Sequence, residues 1–150
     1  MNQITHNFTQ ISKNFTLEEL YASDTARRKG IDNIPTRQAV VNLTYVVTKI
    51  LQPLRSTMQE PISISSGYRC SALNKAVGGV SNSQHLTGQA VDISIDGDMA
   101  KGKRWFEWIR KHCPFDQLIW EHNKQGVYWI HVSFNFQGNR GQVIDNLLKK

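Results

Sequence analysis

The chain has 150 residues, enough for one domain with a real core. Eighteen basic against twelve acidic side chains leave a net charge of +6, which favours anionic partners. No run approaches the roughly 18–20 apolar residues of a membrane span, so stable membrane insertion is not expected. The basic residues are scattered as Arg27-Arg28-Lys29, Lys101 to Arg104, Arg110-Lys111 and Lys149-Lys150, with no nucleic-acid motif beside them. They read as a solvated basic surface, and no nucleic acid is expected as a partner. Cys70 and Cys113 are too few for a disulfide framework and form no CxxC pair. They read as free thiols in packed positions, with a single bridge open only outside a reducing compartment.

Residues 1–15 read as an N-terminal arm that carries His6 in solvent. Thr16 to Glu19 (TLEE) has the form of a capping box, which predicts a short helix to about Ser23 with Leu17, Leu20 and Tyr21 inward. Pro35-Thr36 opens the longest helix. Val40, Leu43, Val47, Ile50, Leu51, Leu54 and Met58 recur at helical spacing, and Pro53 is expected to kink that helix or end it early. Ile62 to Ser65 alternates as a strand. Ser71 to Val77 suits a short helix stopped by Gly78-Gly79, and residues 80–89 form a polar loop. Ala90 to Ile95 is a second strand. Asp98 caps a helix to about His112, which Pro114 prevents from continuing. Phe115 to Glu121 and Val127 to Phe134 are strands joined by the turn residues Asn123 to Gly126, so a hairpin is expected. The order predicts an α+β domain with a mainly antiparallel sheet and flanking helices.

Side-chain alternation then groups the polar residues. Val91, Ile93 and Ile95 take one face of their strand, and Ala90, Asp92 and Ser94 the other. Tyr128, Ile130, Val132 and Phe134 share a core-like face, leaving Trp129, His131 and Ser133 opposite. Gln117, Ile119 and Glu121 lie together. One face of the sheet can therefore carry Asp92, Glu121 and His131, with His85 reaching over it from the preceding loop. Two imidazoles and one carboxylate suit zinc. Structural zinc sites close with four protein ligands, whereas catalytic ones keep three and an open position that acidifies water toward a pKa of about 7. Glu121 is the candidate general base. On the strands alone another account stays open. A strand histidine is more often a surface or satisfied core residue, and three polar residues can share a face by chance.

Ser83 to Asp92 reads SxHxxGxAxD, and Trp129 to Ser133 reads WxHxS. Ser66 to Arg69, Asn74, Val77 to Gly79 and Phe115 to Glu121 accompany them in order. Over about residues 60–135 the chain resembles the peptidoglycan zinc peptidases. These include D-Ala-D-Ala carboxypeptidases, D-Ala-D-Ala dipeptidases and phage L-alanyl-D-glutamate endolysins, which share a hedgehog-like fold. The resemblance implies one zinc per chain on His85, Asp92 and His131. It implies that Arg69 grips a carboxylate or a developing oxyanion and that Ser83 lines the site. The alternatives are a loop-holding salt bridge for Arg69 and a turn-making hydroxyl for Ser83. Tyr68 and Trp129 join Arg69 and Ser83 as expected substrate contacts. Gly88 and Ala90 read as structural, one for a tight turn and the other for space beneath the metal.

Many members of the family place an acid three positions before the last histidine, where this chain has Tyr128. Tyr128 faces away from His131 on the strand reading, so Glu121 on the neighbouring strand is the expected base. His112, Cys113 and His122 fit no ligand spacing, and His112 suits a helix C-terminus. Trp105 and Trp108, in a helix with Phe106 and Ile109, read as packing. The expectation is a single zinc peptidase domain over residues 1–150, a monomer acting on the peptidoglycan stem peptide, with a phage or prophage source. MNQITHNFTQISKNF has no apolar signal run. Either a signal has been removed from this sequence, or the protein is made in the cytoplasm and leaves by another route; the expectation is synthesis in the cytoplasm and action at the cell wall or periplasm after release. The rivals are a non-catalytic zinc-containing binding domain of the same fold, as in hedgehog signalling domains, and a basic nucleic-acid binder with no metal. A binding domain has no need to keep Glu121.

Overall fold

Four alternating segments supply the centre of the fold. In the computed structural model, which describes residues 8–147, β3 (Ser63–Ser66), β4 (Ala90–Ser94), β5 (Gln117–His122) and β6 (Tyr128–Ser133) join one sheet. A fifth strand, β7 (Gln142–Asp145), closes the order β3-β4-β6-β5-β7. All pairs are antiparallel except β5 with β7. The α+β class with a mainly antiparallel sheet is the observed one. The hairpin turns where expected, with Asn123 accepting backbone N–H bonds from Gln125 and Val127.

The alternation has its expected consequence. Val91, Ile93, Leu118, Trp120, Ile130 and Val132 are buried on one face. They form one core with Trp105, Phe106 and Ile109 of α5 (Met99–His112) and with the long helical run. Asp98 caps α5 by accepting from the Lys101 amide at 3.0 Å. Gly102 lets α5 lie against the sheet, because a Cβ there would stand 2.6 Å from the Trp120 ring.

Two helix expectations need correction. Thr36 caps α2 (Arg37–Val46) as expected, but Pro53 does not end the run. A π-turn spans Val47–Leu51, and α3 (Gln52–Met58) follows. The Gln52 amide reaches back to the Val47 carbonyl, so Pro53 falls in a fresh first turn where its missing N–H costs little. The helix expected after Thr16 is only a 3-10 turn, Glu18–Leu20, and no side chain caps it. Leu20 is nonetheless fully buried, and Leu17 and Tyr21 pack on the core. A separate helix α1 (Asp24–Lys29) starts at the Ser23 cap and ends at Gly30.

The arm is also partly structured. β1 (Gln10–Ser12) and β2 (Phe15–Thr16) form a small hairpin. Phe15 plugs the core, and Gln52 accepts from the Ser12 hydroxyl and the Asn14 amide. Strands this short carry no readable alternation. His6 and the Lys149-Lys150 pair lie outside the described residues. The short helix α4 (Ser71–Ala76) precedes the loop toward β4. Buried Asn74 holds the Val80 carbonyl at 2.9 Å there, and a Cβ on Gly79 would strike its side chain. No described helix is long and apolar enough to cross a membrane. Both cysteines are free and pack at the core edge.

Candidate metal centre

Register decides what the polar face holds. In the β4–β6 ladder Asp92 stands opposite His131, and Ser94 opposite Trp129. Asp92 Oδ1 lies 3.0 Å from His131 Nδ1. His85 joins from a 3-10 turn, Gln84–Thr87, and its Nε2 lies 3.3 Å from the same Asp92 oxygen. One donor atom from each of the three residues lies within 4.8 Å of the others. The two imidazole rings meet edge-on with centroids 5.3 Å apart.

Several local features aim His85. Ser83 Oγ accepts from the His85 amide at 3.1 Å and opens the turn. Gly88 closes it with a φ of 75°, and a Cβ there would stand 2.5 Å from the Ala39 carbonyl oxygen. His85 Nδ1 lies 2.7 Å from the Gly67 carbonyl oxygen. An oxygen that can only accept puts the proton on Nδ1 and leaves Nε2 bare for a cation. Gly67 itself is irreplaceable, since a Cβ would stand 1.9 Å from the Leu20 carbonyl oxygen. Burial pushes the Asp92 carboxyl up, but hydrogen bonds and charge from His131 and His85 outweigh it and hold the group well below the usual carboxylate range. These three donors fit one zinc ion: two aimed imidazoles, one anionic oxygen, and no fourth His, Cys, Asp or Glu in the cluster among the described residues.

The centre floors a cleft of about 620 Å³. Arg69, Ser83, His85, Asp92, Glu121, Trp129 and His131 all line it, together with Gln84, Gln117 and Arg140. Glu121 pairs with Trp129 while His131 pairs with Ile119. Glu121 and His131 are therefore diagonal neighbours on one face, a spacing of about 7–8 Å between backbones. Arg69 forms no ion pair among the described residues, and its Nε is buried with no hydrogen-bond partner. Burial lowers its pKa, opposed by the Asp92 charge. The loop-holding role falls to the backbone instead. The Arg69 amide donates to the His85 carbonyl at 3.0 Å, and the Tyr68 amide to that of Leu20 at 2.8 Å. Asn33 accepts from the Cys70 amide at 2.7 Å and donates to the Tyr68 carbonyl at 3.0 Å.

Ser83 both lines the cleft and makes the turn, so its two readings coexist. Tyr68 sits apart from the metal cleft. It is nearly buried and lines a second lobe of about 590 Å³ with Ser23, Asp24, Ile64 and Ser66. Arg69 and Asp92 border both lobes. His112 stacks beside Trp108 at the end of α5, with ring centroids 5.2 Å apart, and His122 lies beside Tyr128. Neither joins the cluster.

Three contributors escaped the sequence. The Gly67 carbonyl lies inside the Ser66 to Arg69 motif, yet backbone acceptors leave no side-chain signal. Asp116 is buried in the Phe115 to Glu121 segment. It accepts from Arg140 Nη2 at 2.7 Å, Arg140 Nε at 3.0 Å, the Arg140 amide at 2.8 Å and Gln84 Nε2 at 2.9 Å. The Arg140 guanidinium holds its pKa down at about 2 against burial. Arg140 belongs to no motif, and only the folded chain brings it to the cleft.

A His-Asp-His centre flooring a polar cleft, with the Glu121 carboxylate lining the same cleft, is the donor set of an open zinc site. The Peptidase M15 family model matches residues 13–133, and the chain belongs to that family. The zinc D-Ala-D-Ala carboxypeptidase of Streptomyces albus G is 36% identical over 81 residues. That match covers 53% of this chain and 31% of the relative, so the two share less than a third of the relative's length.

Proposed function

We propose that this protein is a zinc peptidase that hydrolyses an amide bond in the peptidoglycan stem peptide, as a D-Ala-D-Ala carboxypeptidase or an endolysin-type endopeptidase. The carrying observation is the convergence of His85, Asp92 and His131 in one cleft with Glu121 and an unpaired Arg69. His85 Nε2, Asp92 Oδ1 and His131 Nδ1 would hold the ion. Zinc bound there supplies Lewis acidity toward a carbonyl and acidifies water.

The remaining work falls to the chain. Glu121 takes the proton of the attacking water and returns it to the leaving amine nitrogen. Arg69 lines the cleft, forms no ion pair among the described residues, and donates N–H bonds to the developing oxyanion. Asp92 stays anionic between the two imidazoles and keeps both rings in place. Trp129 and Ser83 line the peptide's path, and Tyr68 lines the adjoining lobe. Two lobes meeting at Arg69 and Asp92 give a peptide room on both sides of the reacting bond. Action at the cell wall or periplasm, a monomeric state and a phage or prophage source belong to the same reading.

The test is metal analysis of the purified protein followed by mass spectrometry of defined muropeptides after incubation. About one zinc per chain is expected, with cleavage abolished by a chelator and the lost mass naming the bond. Cleavage that persists without divalent metal would sink this reading. Zinc without cleavage of any muropeptide would turn it into a binding domain.

A further inference from the structure

We infer that Arg140 is a specificity-determining residue of the cleft, oriented by the buried Asp116, and that it recognises a free carboxylate on the amine side of the scissile amide. The inference rests on the peptidase reading above. It concerns a residue outside the span matched by the family, residues 13–133.

Arg140 is clamped to an unusual degree for a side chain that is 57% exposed. Its Nε and Nη2 engage the two Asp116 oxygens side by side at 3.0 and 2.7 Å, and its own amide binds Oδ1 at 2.8 Å. The Gly141 amide donates to the Phe115 carbonyl at 3.1 Å, and the Gln142 amide to that of Asp116 at 2.9 Å, so the backbone that follows Arg140 is held to the two residues ahead of β5. Asp116 itself is 2% exposed and also takes Gln84 Nε2, which ties the clamp to the turn that carries His85.

Two of the five guanidinium donors are spent on Asp116. The Nη1 edge has no partner among the described residues, and the side chain lines the same cleft as His85, Glu121 and Arg69. The result is a fixed planar fork with free N–H groups facing a peptide site. That is the geometry with which arginine takes a carboxylate. A lysine on Asp116 would satisfy the buried charge equally well but would leave no such edge.

The remaining charges assign the ligand. Asp92 and Glu121 are the cleft's anions, and Arg69 and Arg140 its cations. Arg69 borders Asp92 at the junction of the lobes and serves the oxyanion. Arg140 lines the metal cleft with Gln117 but not the second lobe, and is left for a substrate anion. Both bonds open under the proposed function share one chemistry. In D-Ala-D-Ala and in L-alanyl-D-glutamate, the amine-side residue is a D-amino acid whose α-carboxylate is free. Arg140 recognises that group, and the source is either the terminal D-Ala or the D-Glu.

The experiment uses the full chain with its metal and two peptide pairs. One pair is N-acetyl-Lys-D-Ala-D-Ala as the acid and as the C-terminal amide. The other is N-acetyl-L-Ala-γ-D-Glu-Lys with the glutamate α-carboxyl free or amidated. In all four the scissile amide is replaced by a ketomethylene group, so calorimetry reads equilibrium binding without turnover. The wild type should prefer the acid in at least one pair, and that pair names the source. Arg140→Gln should weaken the acid by about 10–100-fold, the range expected for a charge-assisted hydrogen bond. The amide should move less than about twofold, and the acid-to-amide ratio should collapse.

Because Arg140→Gln leaves a buried carboxylate unpaired, an Asp116→Asn/Arg140→Gln double variant removes both charges, and its ratio should collapse in the same way. An unchanged ratio in either folded variant, or equal weakening of acid and amide, would overturn the inference and make Arg140 a wall brace only. If the wild type cleaves muropeptides but shows no acid preference in either pair, this inference falls and the peptidase reading stands. If cleavage is absent but the acid preference is present and depends on Arg140, the reverse holds.

Discussion

Trp120 and Glu121 are chain neighbours, and they belong to different worlds. Trp120 is 1% exposed, stacks on Phe106 with centroids 5.4 Å apart and meets Tyr128 edge-on. Glu121 faces the cleft across from Trp129. The same split runs through β4, where Asp92 sits between Val91 and Ile93, and through β6, where His131 sits between Ile130 and Val132. Asp92 and His131 are thus flanked on both sides by fully buried residues, and Glu121 by buried Trp120 on one side. The core face pins the register, and the register aims the chemistry. A slip by one residue would bury Asp92, Glu121 and His131 and expose six core residues, which makes it energetically prohibitive.

The largest expected effect comes from the cleft side. Glu121→Gln keeps size and hydrogen bonding but cannot take a proton at neutral pH. Turnover should fall by about 10²–10⁴ with near-normal zinc content and an almost unchanged melting temperature. A retained rate would move the base elsewhere, and lost zinc would make Glu121 a ligand or its support.

One position earlier the outcome should invert. Trp120→Ala empties a packed volume between α5 and the sheet and should cost about 3–5 kcal/mol of stability by chemical denaturation. The fraction still folded at low temperature should retain its zinc and most of its rate per folded molecule. A large rate loss in that folded fraction would show that the two faces are not separable.

Asp116 sharpens the comparison, since it is a buried charge on the border of both regions. Its folded pKa, about 2, lies below the unfolded value near 4. It therefore contributes stability that is fully present above about pH 4 and is lost as pH falls toward 2. In metal-free protein, Asp116→Asn should be less stable by about 1–3 kcal/mol at pH 6. The gap to the wild type should narrow between pH 4 and 2. A constant gap would mean that the carboxylate's charge contributes nothing.

The smallest effect should come from His112→Ala at the end of α5. It removes a ring tilted against Trp108, worth under about 1 kcal/mol, and it should leave zinc content untouched. Loss of metal here would contradict the assignment of the centre.

Elements with long, periodic signals were legible. The α5 cap at Asp98, the stop at Gly78 after α4 and the β5–β6 hairpin all lie within a residue or two of their expected bounds. The shared face of Asp92, Glu121 and His131 followed from alternation alone. Shorter or compensated features were not legible. β1 and β2 have three and two residues, too few for a period. The Thr16 to Glu19 pattern suits a cap, but Leu20 is drawn into the core after a single turn. Pro53 is a helix breaker by local rules, and only the π-turn ahead of it, set by core packing of Val47, Ile50 and Leu51, makes it harmless.

By itself the sequence determined the binary pattern: which residues of each strand face the core, where helices start and stop, and which residue types are available to bind a metal. These are properties of neighbours along the chain, and period and turn chemistry encode them directly. The tertiary structure alone decided the strand order, which sets β6 between β4 and β5 and so brings Asp92 to His131 across 39 residues. It alone aimed His85 through the Gly67 carbonyl, separated Tyr68 into a second lobe and carried Arg140 to Asp116 across 24 residues. Those outcomes depend on distant segments meeting, and the closure of such loops leaves no mark on the local pattern that each segment carries.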